Sequence, residues 1–371
     1  MLQSDNTSTD TIKGVLKELV LNSEGFSATL AAKGLSAIMR GEATDAQIGG
    51  FLTALRLGGV GWKPEVVAAL AEEGYRNALI PSLDTPQRPR KDLGTIVDIV
   101  GTGGDGWSTF NISTTSALVV ASATETIRVA KYGSRASTSN CGSADLLEAM
   151  GCDLGAVQPE DVADILHSSK FCFLFANTYH PRMRYLSNTR RELGFPTPFN
   201  VLGPLTNPVA PDRAVVGVYS KTLGRTMAET LVLLGRRNYA VVCGDEDLDE
   251  ISIAGKTHVW HIRSDGEISE YSIHPDDFGV PSHPLSAAAG STLEENKATL
   301  RRLLGNRLEK RDIPIRDFVL INAGFLLYVS GAVASMKEGA ELARSTLESG
   351  KVQDMLEGFA SATQRLRRIT E

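Results

Sequence analysis

Beyond residue 95 the chain alternates short β-rich runs with helical stretches, and few folds satisfy that rhythm. Val, Ile, Phe and Ala dominate runs at 96–100, 127–130, 171–176, 214–219 and 239–243. Helical stretches fall at 114–123, 143–150 and 223–236, and a basic segment begins at Arg182. Strands separated by helices pair in parallel and bury both sheet faces under those helices. The expected class is therefore α/β with a mostly parallel central sheet. Residues 256–262 and 267–273 suggest an added hairpin, and helices at 293–304, 316–329, 336–347 and 352–368 close the chain.

The first eighty residues follow a different pattern. Ile12, Val15, Leu16, Leu19 and Val20 recur at helical spacing and define one apolar face. Thr44 and Gln47 spell a capping box, and the helix behind it would bury Ile48, Phe51, Leu52 and Leu55. Pro64 suits the first position of a further helix that reaches about Arg76. Pro81, Pro86 and Pro89 mark 80–95 as a linker.

At 371 residues the chain can bury a large core, with room for two domains. A net charge of −6 argues against a general nucleic-acid binder, so an anionic ligand would need a local basic cluster. Cys141, Cys152, Cys172 and Cys243 form no Cys-x-x-Cys pair and read as reduced thiols of a cytosolic protein. Residues 1–10 lack the basic and apolar regions of a signal peptide, and no later stretch reads as a membrane span.

Residues 98–114 carry the sharpest chemical signal. The run 96–100 leads into Gly101-Thr-Gly-Gly-Asp-Gly106 and then a polar stretch that opens a helix. Such a loop can turn its N–H groups inward, and the helix start adds free donors and a positive dipole end, which suits phosphate. Gly101, Gly103 and Gly106 also match Gly-x-Gly-x-x-Gly. A dinucleotide site needs an acid at the end of the next strand, but that strand runs into Lys131-Tyr-Gly-Ser-Arg135. A purely structural turn would leave Thr109, Asn111, Ser113 and Thr114 without a purpose.

Three more segments join it. The loop 131–143 combines two cations, two glycines and five hydroxyl residues, suited to phosphate or to a polar surface turn. Residues 244–250 hold five acids after a strand. They could be a solvated loop, or hard oxygen ligands for Mg²⁺ shared with a phosphate. Arg182, Arg184, Arg190 and Arg191 line a helix before the Pro-rich stretch 195–208. They could be surface charge, or include a fork for a carboxylate. The stretch after them reads as a rigid hinge or wall, and His180 as structural. No nucleophile–base pair stands out.

Together these segments resemble the anthranilate phosphoribosyltransferase family of tryptophan biosynthesis. The match lies in Gly101-Thr-Gly-Gly-Asp105, Asn111-Ile-Ser-Thr114, the 131–143 loop, Arg190-Arg-x-Leu-Gly-x-x-Thr-Pro-Phe-Asn200, Leu202-Gly-Pro-Leu-Thr-Asn-Pro208 and Leu248-Asp-Glu250. Order and spacing agree, and Asp45-Ala-Gln-Ile-Gly-Gly-Phe-Leu-Thr-Ala-Leu-Arg56 fits the helical part. The resemblance implies a fold like that of pyrimidine nucleoside phosphorylases. A small all-helical domain over 9–90, completed by about 185–210, would face an α/β domain over 95–180 and 212–371. It also implies a cytoplasmic homodimer joined through the helical domain, with no nucleic-acid or membrane partner.

The implied reaction moves the phosphoribosyl group of 5-phosphoribosyl 1-diphosphate (PRPP) to the amine of anthranilate, with Mg²⁺ as cofactor. By resemblance, Gly101, Gly104, Asp105, Thr109, Asn111, Ile112, Ser113, Thr114, Lys131, Ser137, Thr138, Ser139 and Ser143 surround PRPP. Gly101, Ser134 and Arg190 meet anthranilate, and Ser113, Asp249 and Glu250 hold the metal. Catalysis would be electrostatic and positional, with no covalent step. The chain departs from the pattern Lys-His-Gly-Asn-Arg at Tyr132 and Ser134, and carries Asp247 where members have Gly. The changes at 132 and 134 keep another aromatic amine open as acceptor. A nucleoside phosphorylase and a non-catalytic ligand-binding relative are the remaining alternatives.

Overall fold

The structure, a computed structural model, describes residues 11–84, 89–136 and 141–370, with side chains to 366. Four helices open it: α1 (Ile12–Leu21), α2 (Ala28–Met39), α3 (Asp45–Leu57) and α4 (Pro64–Arg76). Thr11, Ser27 and Thr44 cap the first three by accepting a backbone N–H of the first turn. The Thr44–Gln47 box closes in both directions, at 2.9 and 3.3 Å. Ile48, Phe51, Leu52 and Leu55 are buried as expected. Two readings of this region change. Helix α2 was not anticipated, although Ala31, Leu35 and Ile38 follow helical spacing behind Ser27. Val20, expected on the buried stripe of α1, is 67% exposed; one position past Leu19, it turns off the stripe at the helix end.

The alternating region begins with β1 (Thr95–Gly101), α5 (Ile112–Ala123), β2 (Ile127–Gly133), α6 (Ser143–Ala149), α7 (Val162–Ser169) and β3 (Phe171–Phe175). The short α8 (Ala176–Tyr179) and α9 (Arg184–Leu193) follow, then β4 (Arg213–Gly217), α10 (Lys221–Leu233) and β5 (Tyr239–Gly244). The hairpin β6 (Thr257–Ile262) and β7 (Ile268–Ile273) precedes α11 (Leu293–Leu304), α12 (Ile313–Ser330), α13 (Met336–Glu348) and α14 (Lys351–Thr370). The sheet order is β3-β2-β1-β4-β5-β6-β7, parallel from β3 to β5 and antiparallel at β6 and β7. Chain direction across the sheet reverses at β1 and β4. In open α/β sheets that switch point, at the strands' C-terminal ends, is where ligands bind.

Period-two alternation divides the strands between two cores. Val215, Ala240 and Val242 face a core built with α5, α12 and α13. Ala214, Val216, Tyr239 and Val241 face the other, which runs through α10 into α1–α4 without a break. The helical part therefore shares its apolar interior with one sheet face. Residues 310–330 correct the absence of any membrane-like stretch in the sequence reading. The segment Lys310–Ser330 is long and apolar enough to cross a membrane, but 78% of its apolar window is buried inside the protein. It packs against α5 and α13 as a core helix.

The Pro-rich stretch is fastened to the sheet by polar bonds. Asn207 Nδ2 donates to Asp98 Oδ2 at 2.8 Å and to the Ala130 carbonyl at 2.9 Å. Its Oδ1 accepts the Val209 N–H at 3.0 Å. His180 Nε2 meets the Thr206 carbonyl at 2.9 Å, and its ring stands edge-on to Tyr132. Burial holds the His180 pKa below the usual imidazole range, which supports its structural reading. An Asn207→Ala variant would remove the amide donor shared by the buried Asp98 carboxylate and the buried Ala130 carbonyl, leaving Asp98 with the Ile99 and Tyr132 N–H groups. We expect it to lose about 2–3 kcal/mol of stability, measured as a lower urea midpoint at unchanged m.

Candidate active site

The loops that follow β1, β2 and β5 open at the C-terminal edge of the sheet, around the β1–β4 switch. The glycine loop after β1 holds Gly103, Gly104 and Gly106 at φ of 68°, 82° and 77°, a region that favours glycine. Asn111 stands at the N-cap of α5 but makes no side-chain cap. Its Nδ2 instead donates to the Cys141 carbonyl at 2.9 Å, and its Oδ1 accepts from Asn296 at 3.1 Å. Asn111 thus spans two loops and does not cap α5 with its side chain; the Ile112 N–H bonds the Phe110 carbonyl and the Ser113 N–H bonds a carboxylate of the acidic run. The positive end of a helix suits an anion. Ile112 is buried in the first turn, and Thr109 pairs with Ala289 through a β-bridge that supports the loop.

Only part of the acidic run turns inward. Asp245 is held at the surface by Lys221 Nζ at 2.7 Å and His258 Nε2 at 2.9 Å. Asp247 has φ 56°, which explains why a glycine serves at that position in the family pattern. Asp249 and Glu250 then pass back over the ends of β1 and β4. Gly101 and Gly217 are paired across those strands, and a Cβ at either would clash with Asp249. Asp249 Oδ2 accepts the Gly103 N–H at 2.6 Å, and Glu250 accepts the Ser113 N–H. Beyond them, buried Asn322 of α12 grips Ile251 by both its N–H and its carbonyl, each at 3.1 Å.

These carboxylates face one another with little water. Desolvation first, then Asp105, raises the Asp249 pKa to about 7. Desolvation also raises Asp105, and raises Glu250 well above the usual range with help from Asp249. Among the described residues no three acidic, imidazole or thiol groups form a complete metal cage. Mg²⁺ does not require one, because it keeps waters and shares a substrate's phosphates with one or two carboxylates. Asp249, Glu250 and the Ser113 hydroxyl are hard oxygen donors, and the crowded acids lack the positive charge that a cation would bring. The residues fit Mg²⁺.

Lys131 lies under this floor. Its ammonium is 1% exposed and donates to the Ile99 carbonyl at 2.6 Å and to Ser113 Oγ at 3.4 Å. Burial lowers its pKa, while Asp98, Glu250 and Asp249 oppose that shift. In this arrangement its ammonium is engaged by the Ile99 carbonyl and Ser113, under the two carboxylates. Thr114 is likewise fully buried, with its hydroxyl on Ser143 Oγ at 2.8 Å, which joins the first two loops. Ser137, Thr138 and Ser139 lie outside the described residues.

Ser134 is exposed, and its hydroxyl donates to the Arg135 carbonyl at 3.1 Å. Tyr132, in the place of the pattern's His, is buried against His180. Arg190 sits half-buried on α9. Desolvation lowers its pKa, and no carboxylate pairs with it among the described residues. A guanidinium removed from water without an ion pair is suited to an incoming carboxylate. The other arginines of that face are different: Arg182 binds Asn77 and Arg191 binds Asn188, both at the surface.

The sequence reading missed Asp98, Asn207, Gly217 and Asn322. Burial with desolvation raises the Asp98 pKa to about 6, and Lys131 and Asn207 oppose that rise. An acid inside an otherwise apolar strand was the available signal for Asp98. Nothing local to residue 322 marks its role.

A helical unit joined to a parallel sheet, with a glycine loop, a helix start and paired carboxylates at its switch point, is the layout of a glycosyl transferase of phosphorylated sugars. Residues 93–353 match the glycosyl transferase family α/β domain, and 13–77 match the helical bundle domain of that family. The anthranilate phosphoribosyltransferase of Schizosaccharomyces pombe is 41% identical over 332 residues, 89% of this chain and 91% of that protein. The Saccharomyces cerevisiae enzyme of the same name, solved in complex with PRPP and Mg, superposes with a TM-score of 0.86 at 34% identity. That match covers 95% of this chain and 98% of the other. A complex of the yeast enzyme with 4-fluoroanthranilate gives 0.85 at 31% identity, over 96% and 99% of the two chains. The chain belongs to the anthranilate phosphoribosyltransferase family.

Gly217 touches no expected ligand, so it tests the geometry of the floor. A Gly217→Ala variant would push the Asp249 backbone off the strand ends. Misplacement of about 1 Å costs on the order of 10²-fold in rate, and initial-rate assays should show a loss of that size.

Proposed function

We propose that this protein transfers the 5-phosphoribosyl group of PRPP to the amine of anthranilate and releases diphosphate, a step of tryptophan biosynthesis. One observation carries the reading. The glycine loop that leads into α5 and the Asp249–Glu250 pair meet at the same strand ends, so backbone suited to a diphosphate and oxygens for its cation are adjacent. The glycine loop, Asp105, Thr109 and Asn111 border the diphosphate and ribose, and Ser143, joined to Thr114, continues that border. Ser113, Asp249 and Glu250 hold Mg²⁺. When bound, Mg²⁺ neutralises charge that develops on the leaving diphosphate.

The protein's own groups do the rest. N–H donors in the glycine loop and the positive end of α5 stabilise the departing oxygens. Lys131 offsets the carboxylates from below. Arg190 takes the anthranilate carboxylate and sets the amine in line with ribose C1. An aryl amine is neutral at pH 7, so no strong base is needed and positioning supplies much of the rate.

The exposed Ser134 hydroxyl favours a second reading in which the acceptor is another aromatic amine. Loss of anthranilate fluorescence with saturating PRPP and Mg²⁺ supports the first reading. No loss, together with diphosphate release on another aryl amine, would replace it. An Arg190→Ala variant should raise the anthranilate KM by about tenfold or more while leaving the PRPP KM nearly unchanged.

The same reading includes a cytosolic homodimer formed through the helical domain. Its four cysteines are all free. Val20, Leu21 and Leu57 are 67%, 73% and 80% exposed, at the ends of α1 and α3, which approach each other at Ser23 and Gly58. Exposed apolar clusters of this kind mark contact surfaces. Sedimentation equilibrium should give a dimer for the wild type and a monomer for Leu57→Asp.

A further inference from the structure

One aromatic side chain beside the site has no part in the chemistry above. Trp107 follows the glycines of the first loop and is 43% exposed. Its backbone N–H donates to Asp105 Oδ1 at 3.0 Å. Its indole Nε1–H donates to the Glu246 carbonyl at 2.9 Å, on the loop that carries Asp249 and Glu250. A tryptophan usually contributes by burying its rings. Here nearly half of the residue's surface stays open to solvent while the polar tip is engaged, so the bond is what fixes its place.

That bond joins a soft element to a firm one. Three glycines at positive φ give the first loop wide conformational freedom. The acidic loop is fixed at one end by Lys221 and His258 on Asp245, and at the other by Asn322 on Ile251. Besides the hydrogen bonds between Asp105 and Asp249, two more tie the first loop to the second: Gly103 to Asp249, and Trp107 to Glu246. The first uses a carboxylate that the metal would claim. The second uses a backbone carbonyl and survives metal binding.

We propose that Trp107 is a positioning residue, a latch that keeps the diphosphate loop in register with the metal-binding carboxylates before PRPP arrives. Order made in the free protein is not lost again on binding, which raises affinity. The proposal rests on the reading of the site as a Mg²⁺–PRPP site.

The test is Trp107→Phe, which keeps a ring and removes the N–H. Titration calorimetry of PRPP in saturating Mg²⁺ should show affinity about two- to tenfold weaker than wild type, the loss of one hydrogen bond. The Mg²⁺ concentration for half-maximal PRPP binding should rise with it. In turnover the PRPP KM should rise by more than kcat falls, and the anthranilate KM should stay put. The thermal midpoint should be unchanged, because the side chain is exposed. Equal PRPP affinity in the variant and the wild type would overturn the latch, and so would tighter binding, since the bond would then oppose entry. A wild-type protein that fails to bind PRPP at all would overturn the functional reading instead.

Discussion

The ammonium of Lys131 organises the ligand edge of this protein. Burying such a charge costs several kcal/mol unless opposite charges surround it. Asp98 lies beside it on the neighbouring strand, and Asp249 and Glu250 lie above. The dependence runs both ways, because each of these three carboxylates is poorly hydrated and draws on the same cation. Lys131 supplies a fixed one from below. The surplus of negative charge leaves room for a second from the cleft, the role proposed for Mg²⁺. A structural charge cluster and a binding site for a metal–diphosphate are thus one arrangement.

Two absences of side chain make that arrangement possible. Gly101 and Gly217 sit opposite each other at the ends of β1 and β4, where the sheet changes direction. With no Cβ at either position, the Asp249 backbone can lie directly on the strands. Glu250 can then reach the first turn of α5 and accept from Ser113. The glycine loop consequently has two duties: it leaves N–H groups near the ligand and makes space for the acids beneath it.

The helical part belongs to the same mechanical unit. Its apolar core continues through α10 into the sheet, and Asn207 locks the Pro-rich stretch to β1 and β2. Arg190 is therefore carried on a helix with firm support on both sides. A guanidinium that must meet a small rigid acceptor gains specificity from such support, since a flexible arm would have to be ordered on each encounter.

Local chemistry was legible in the sequence where it depends on neighbours along the chain. The Thr44–Gln47 cap, Pro64 at a helix start, the parallel alternation, the antiparallel hairpin and the phosphate-type loops all follow from short-range rules of period, capping and glycine conformation. The acids at 249 and 250 were visible as a motif, and Arg190 as part of a basic face. What tertiary structure decided was which of these groups lose water and which remain paired. Asp245 and Asp249 lie in one acidic run, yet one is neutralised at the surface and the other is pressed onto two glycines. Lys131, a cation in a loop read as suited to phosphate, lies beneath the floor with its ammonium on the Ile99 carbonyl. Asp98, Gly217, Asn207 and Asn322 gained their roles from partners far away in the chain. Sequence fixes the type and local geometry of a group; its charge state and its partner depend on long-range packing, which sets the distance and the dielectric around it.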